Sequence, residues 1–136
     1  MKRAERIVAA ARALIGAPFR LHGRSAETGV DCIGLAVLAL SRAGHRRLDG
    51  RIVPAAYSIR GGTAERFATI MRAAGLRAVR HSKPGDLVLA YAGVAQFHLM
   101  IATDAGHVHA DASLARVVEM PGASPWPVIA HFRWGR

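Results

Sequence analysis

Residues 28–35, Thr-Gly-Val-Asp-Cys-Ile-Gly-Leu, contain the only cysteine of the chain and lead into its most apolar helix-like run. The segment from Cys32 to Ala43 is dense in Leu, Val and Ala, which predicts a central helix buried on nearly all sides. Asp31 has the short acceptor side chain of an N-cap residue, and Gly44 suits the position just past the helix end. Cys32 is therefore expected at a helix N-terminus, where backbone N–H groups and the helix dipole lower the pKa of a thiol.

The length and composition favour one domain with a real apolar core. The chain has 136 residues, of which 51% are hydrophobic, so we expect a single domain over residues 1–136. One cysteine excludes an internal disulfide framework and a cysteine-rich zinc site. No signal peptide and no membrane span are expected, because charged residues interrupt every apolar stretch before it reaches a spanning length.

The chain is strongly basic, with a formal net charge of +10. That charge suits a polyanionic partner, such as nucleic acid, anionic lipid or a carboxylate-rich wall polymer. The basic residues are nearly all arginines scattered along the chain, which is also what a GC-rich coding sequence produces. With no nucleic-acid motif and few aromatic residues to stack on bases, no specific nucleic-acid partner is expected.

The chain order of patterns predicts an α+β fold with helices first and strands after. Apolar spacing indicates helices over residues 4–15 and 64–74, the second capped by Thr63. Residues 19–31 are predicted to be a polar, glycine-containing loop, and residues 45–62 an irregular connection. Short apolar runs predict an antiparallel sheet of about five strands packed on the central helix. The predicted strands are 87–90, 97–103, 107–110, 116–120 and 128–134.

Cys32 and His98 are the first candidates for chemistry. A lone cysteine in an apolar helix is either a small buried hydrophobe or, beside an open loop and a base, a nucleophile. His98 lies in a run of large apolar residues, so its ring nitrogens need partners. It is either a satisfied core residue or a base that faces a cleft.

His107 and His109 form a His-X-His pair on one predicted strand, so both side chains point to the same face. Two histidines at this spacing can chelate a metal, but no acidic or cysteine-rich set accompanies them. We therefore favour a hydrogen bond from one of them to His98, which would fix the tautomer of that ring. No metal and no other cofactor are expected.

The order of these residues resembles the NlpC/P60 family of cell-wall peptidases. The resemblance spans nearly the whole chain and rests on motifs that follow one another at family spacing. In order, they are Gly16-Ala17-Pro18-Phe19-Arg20, Asp31-Cys32-Ile33-Gly34-Leu35, Pro84-Gly85-Asp86-Leu87-Val88, His98-Leu99-Met100-Ile101 and Val108-His109-Ala110. Residues 23–25, Gly-Arg-Ser, look like the branch associated with the tails of phages and phage-like gene transfer particles.

The resemblance implies a papain-like fold and cysteine-dependent hydrolysis of peptidoglycan stem peptides. It places the nucleophile at Cys32, the general base and acid at His98, and the orienting residue at His109, with His107 as the substitute if the strand is shifted. Asp31, Phe19 and His22 are the expected substrate-binding residues. Phe19 and Ile33 stand where the family usually has Tyr and Ser.

These expectations describe a thiol hydrolase synthesised in the cytoplasm, carried by a phage-like tail and acting at the cell wall. Its partners would be the peptidoglycan peptide substrate and tail proteins. The alternative is a non-catalytic tail-assembly or wall-binding module of the same fold.

Overall fold

The computed structural model describes residues 1–46, 63–93 and 96–135. It contains three helices, α1 (Arg3–Ala13), α2 (Cys32–Arg42) and α3 (Ala64–Ala73). A short hairpin, β1 (Arg24–Ser25) and β2 (Gly29–Val30), precedes α2. Six further strands form the main sheet: β3 (Leu76–Val79), β4 (Leu87–Gly93), β5 (Gln96–Ala102), β6 (Gly106–Asp111), β7 (Arg116–Pro121) and β8 (Val128–Trp134).

The main sheet is antiparallel throughout and has the order β3-β8-β4-β5-β6-β7. The chain therefore runs as a meander from β4 to β7 and then returns to insert β8 between β3 and β4. The predicted α+β class, with α2 packed on an antiparallel sheet, is confirmed.

Two local predictions fell short of the structure. The segment Leu76–Val79 was not predicted to be a strand; it has no alternating pattern and pairs with β8, which follows it by some fifty positions in the chain. Its addition gives the described sheet six strands. The predicted loop over 19–31 contains the β1–β2 hairpin, whose two-residue strands are too short to show a period of two. Residues 47–62 of the predicted connection lie outside the described residues.

The core lies between the helices and one face of the sheet. On β5, Phe97, Leu99 and Ile101 point toward this core, whereas Met100 and Ala102 point to the other face. Since side chains alternate along a strand, His98 shares the face of Met100, away from the helices. A second, smaller apolar cluster covers that face and includes Trp126 and Met120. None of the described helices has the length and apolarity that a membrane crossing requires.

Gly34 allows the loop before the hairpin to lie against the first turn of α2. A Cβ at this position would overlap the carbonyl oxygen of Gly23. Alanine would gain about 1 kcal/mol of helix propensity, but forcing an atom into a filled backbone contact costs more. We expect Gly34→Ala to lower the free energy of unfolding by about 2 kcal/mol, measured by urea denaturation.

Gly93→Ala is the matched control for this prediction. Gly93 is exposed, and an added Cβ would come no closer than 3.8 Å to the neighbouring Gln96 side chain. The control should change the unfolding free energy by less than about 0.5 kcal/mol. Equal stability of Gly34→Ala and the wild type would show that this loop does not need the close approach.

Candidate active site

Asp31 caps the N-terminus of α2 and ties the preceding loop to it. Its Oδ1 accepts a hydrogen bond from the backbone N–H of Gly34 at 2.8 Å, and the Arg24 guanidinium lies 3.3 Å from the same oxygen. The backbone N–H of His22 donates to Oδ2 at 2.9 Å. Asp31 is only 5% exposed, so its carboxylate has lost most of its hydrating water. These donors supply hydrogen bonds in place of that water. The predicted capping role of Asp31 is confirmed.

Cys32 follows this cap, and its sulfur is enclosed. The residue is 2% exposed, and burial raises the pKa of the Cys32 thiol to about 12. A hydrogen bond from the backbone amide of Leu99, next to His98 in the chain, lowers the thiol pKa, and the negative charge of the Asp31 carboxylate raises it. The expectation of a depressed thiol pKa is therefore wrong for the resting protein. The helix start does favour the thiolate, but the loss of solvent around the sulfur outweighs it.

His98 and His109 are joined by a hydrogen bond across β5 and β6. His98 Nε2 lies 2.9 Å from His109 Nδ1, and the two rings meet edge to face with centroids 5.1 Å apart. Burial, and to a smaller extent the nearby His109, lowers the pKa of His98 to about 4. The pKa of His109 is also lowered, chiefly by burial. Both rings are therefore neutral near pH 7.

The strand register explains why His109, and not His107, is the partner of His98. Ile101 pairs with Val108 and Ala102 pairs with His107, which places His109 opposite Met100, one diagonal step from His98. His107 lies two residues farther along β6, beyond the reach of that ring. Its Nδ1 is buried without a hydrogen-bond partner among the described residues. The hydrogen bond expected from the His-X-His pair is thus present, and it uses the second histidine.

One cleft of about 220 Å³ contains most of the candidate residues. Of the residues singled out from the sequence, its lining includes Phe19, Asp31, Cys32, His98 and His109. The helix start and the beginning of β5 meet at this cleft, which brings together residues far apart in the chain.

The sequence raised two further questions, the role of His22 and the possibility of a metal site. The backbone of His22 has a φ of 61°, in the left-handed region that favours glycine, and its N–H serves the Asp31 carboxylate. The structure thus links His22 to the site through its backbone.

Within residues 1–46, 63–93 and 96–135, no group of three or more His, Cys, Asp or Glu side chains is arranged to hold a metal ion.

The sequence pattern did not point to several residues that line the cleft. Trp126, Gln96 and Ser113 are among them, and Asp111 also lines the cleft. Asp111 accepts hydrogen bonds from the backbone and hydroxyl of Ser113 through Oδ1, which lower the pKa of its carboxyl. The one available signal was a tryptophan in a proline-bounded segment, residues 121–127, between two predicted strands.

The cleft contains a thiol and two hydrogen-bonded imidazoles, which are groups used in nucleophilic catalysis by cysteine. If His98 Nε2 donates to His109 Nδ1, then His98 Nδ1 is left unprotonated and can accept a proton. Because the thiol and the imidazole are both neutral at rest, a reaction at the sulfur would require a base in the cleft to accept the thiol proton. The free N–H groups at the start of α2 can stabilise negative charge that develops beside the sulfur.

Comparisons with solved structures identify the architecture. The NlpC/p60 domain of the peptidoglycan hydrolase SagA matches with a TM-score of 0.60 and 23% identity, over 87% of this chain and 88% of that one. The P60 domain of an antigen from M. avium subspecies paratuberculosis matches with a TM-score of 0.63 and 19% identity, over 97% and 93% of the two chains. This chain has the NlpC/P60 fold.

Longer proteins contain the same fold. The peptidoglycan hydrolase RipB from Mycobacterium tuberculosis matches with a TM-score of 0.60 and 22% identity, over 96% of this chain and 63% of that one. No protein-family model and no curated protein matches the sequence. At these identities the comparisons establish the fold alone.

The buried histidines make the free energy of unfolding depend on pH in mildly acidic solution. Each has a folded pKa below the ordinary value of 6.5, so the unfolded chain binds protons more readily as the pH falls through that value. The contribution of these histidines to the free energy of unfolding is fully present above about pH 6.5 and is lost as the pH falls toward about 4. From the shift at His98 alone, we expect the free energy of unfolding to fall by roughly 2 kcal/mol between about pH 7 and about pH 4.5.

Urea denaturation at a series of pH values measures this dependence. His98→Gln is the matched variant, since an amide can keep a hydrogen bond to His109 but does not titrate. Its stability should fall less steeply over the same interval. Identical slopes for the two proteins would contradict a strongly lowered His98 pKa.

Proposed function

We propose that the protein is a cysteine peptidase that hydrolyses peptide bonds in peptidoglycan stem peptides. The observation that carries this proposal is the convergence of Cys32, His98 and His109 on one cleft, with the two histidines hydrogen-bonded to each other. The fold supports the substrate class, because neighbours with this fold include proteins described as peptidoglycan hydrolases. The formal net charge of +10 is compatible with an anionic wall polymer.

The proposed reaction begins when His98 Nδ1 takes the thiol proton and the Cys32 sulfur attacks the scissile carbonyl carbon. The C–N bond breaks as His98 returns that proton to the leaving amine, which leaves a thioester on Cys32. Water, deprotonated by His98, then attacks the thioester, and the acid product departs as the thiol is restored. The backbone N–H of Cys32 stabilises the oxyanion in both steps.

His109 acts in this scheme by accepting from His98 Nε2, which stabilises the imidazolium when it forms. Phe19 and Asp31 line the cleft and are proposed to contact the substrate, with His22 at the loop that borders them. One catalytic domain over residues 1–136 is sufficient for this chemistry. No step requires a metal or another cofactor.

We further propose that a phage-like tail carries the protein to the cell wall. The basis is the resemblance of residues 23–25 to the tail-associated branch. Immunoblotting of purified tail fractions from the source strain tests this: co-purification supports it, and exclusive recovery in the unassembled pool rejects it.

The experiment that tests the enzymatic proposal is digestion of purified peptidoglycan of several wall chemistries. Wild type and Cys32→Ala are incubated in parallel, and released peptides are identified by mass spectrometry. Release of peptides with new termini by the wild type alone supports the proposal. Equal background release from both proteins on every wall type overturns it.

A binding module of the same fold is the second candidate function. The observation in its favour is the enclosure of Cys32, whose residue is only 2% exposed. In that case both proteins would sediment with peptidoglycan and neither would release peptides. Sedimentation of the two proteins with insoluble sacculi, alongside the digestion, therefore separates the two functions.

A further inference from the structure

Trp126 covers the histidine pair from the face of the sheet opposite the helices. Its ring centroid lies 5.1 Å from that of His98 at an interplanar angle of 71°, and 5.6 Å from that of His109 at 79°. Both contacts are edge to face, the arrangement that aromatic rings prefer. One side chain thus touches both rings of the hydrogen-bonded pair.

The loop that holds Trp126 is itself fixed. Ser124 Oγ donates to the Trp126 carbonyl at 2.8 Å and accepts from the Trp126 N–H at 3.1 Å. The indole packs against the smaller apolar cluster, which contains Val88, Ala90, Met100 and Ala102. Trp126 is therefore anchored by its backbone and by its side chain, and it also lines the cleft.

The surroundings of His98 show what this contact does. The His109 ring from β6 and the Trp126 ring from the loop before β8 contact His98, and the Asp111 carboxylate from β6 interacts with it electrostatically. Of the titratable groups, Asp111 favours the imidazolium and His109 opposes it, while burial opposes it most. The indole of Trp126 contacts both rings of the pair on the side away from the helices.

We propose that Trp126 is a positioning residue, which clamps the His98–His109 pair in one orientation and keeps water from the hydrogen bond between them. This inference rests on the proposed function for its kinetic consequence, but its structural content does not depend on any substrate. Without the indole, water reaches the pair, the His98 ring is freer to rotate, and its imidazolium is better solvated.

The test compares Trp126→Leu and Trp126→Phe with the wild type. Leucine fills much of the space without an aromatic edge, whereas phenylalanine keeps a ring that can meet both histidines. The first readout is an NMR titration of the His98 ring, which requires no substrate. We expect the His98 pKa to rise by at least about one unit in Trp126→Leu and to change by less than about half a unit in Trp126→Phe.

The second readout is the pH profile of peptide release. The acidic limb should move upward with the NMR pKa in Trp126→Leu, and kcat should fall at least about 10-fold with KM changed less, while Trp126→Phe stays within about 3-fold of the wild type. An unshifted His98 titration in Trp126→Leu overturns the positioning role. If the His98 pKa shifts in Trp126→Leu but the wild type releases no peptide, the positioning role of Trp126 stands and the proposed function is rejected.

Discussion

Replacement of Cys32 by alanine is expected to lower the rate of peptide release from peptidoglycan by at least about 10³-fold. The side chain is the only thiol in the chain, and it lines the same cleft as the proposed base. Without it no thioester can form, and only the weak catalysis due to binding and to the oxyanion site remains. Initial rates of release, measured by mass spectrometry or by labelling of new amino termini, give this ratio.

Cys32→Ser is the matched variant for this prediction. Serine keeps nearly the same shape and an attacking oxygen, but a hydroxyl is much harder to deprotonate, so its activity should also fall by at least about 10²-fold. Cys32→Ala should unfold within about 1 kcal/mol of the wild type, because it loses only one small buried group. Cys32→Ser places a hydroxyl at the same buried position and is expected to cost about 1–3 kcal/mol. Wild-type rates in either variant would remove Cys32 from the mechanism and leave the cleft as a binding site.

Replacement of His98 by glutamine is expected to lower peptide release by about 10³-fold. The amide of glutamine can still hydrogen-bond to His109, which keeps the site packed, but it cannot accept the thiol proton. With the pKa of the Cys32 thiol raised to about 12, almost no thiolate forms near neutral pH without a base. The loss should therefore be partly recovered at high pH, where hydroxide removes the proton.

His107→Gln is the matched control for His98→Gln. His107 is a histidine of the same sheet face, two residues from His109, and it does not line the cleft. Its replacement should leave peptide release within about 3-fold of the wild type. A loss at His107 as large as that at His98 would mean that the second histidine of the mechanism has been misassigned.

Much of the fold was accessible from local patterns. The apolar spacing predicted α1, and Asp31 and Thr63 predicted the starts of α2 and α3, because a cap is a short-range hydrogen bond that a single residue type makes. The strands from β4 to β8 were predicted within a few residues, since each is an apolar run of ordinary strand length between turn residues. β3 was missed because its pairing partner, β8, is remote in the chain.

The candidate site, like the fold, was predicted only in part from the sequence. The sequence pointed to Cys32, His98 and the His-X-His pair, because thiols and imidazoles are few and their chemistry is specific. The family resemblance favoured His109 over His107, and the register of β5 against β6 shows that His109 is the partner of His98. Trp126 could not be assigned a role, because nothing local shows that its loop folds back over two histidines on other strands.

The sequence alone therefore determined the kinds of groups available and the elements that present them: a thiol at a helix start, histidines on strands and an α+β order of elements. The tertiary structure decided which groups meet and how strongly solvent is removed from them. This difference has a physical reason, since caps and periodicity act over a few residues, whereas burial sums over the whole packed chain. The clearest case is Cys32, where the helix start favoured a low thiol pKa and enclosure of the sulfur raised it to about 12.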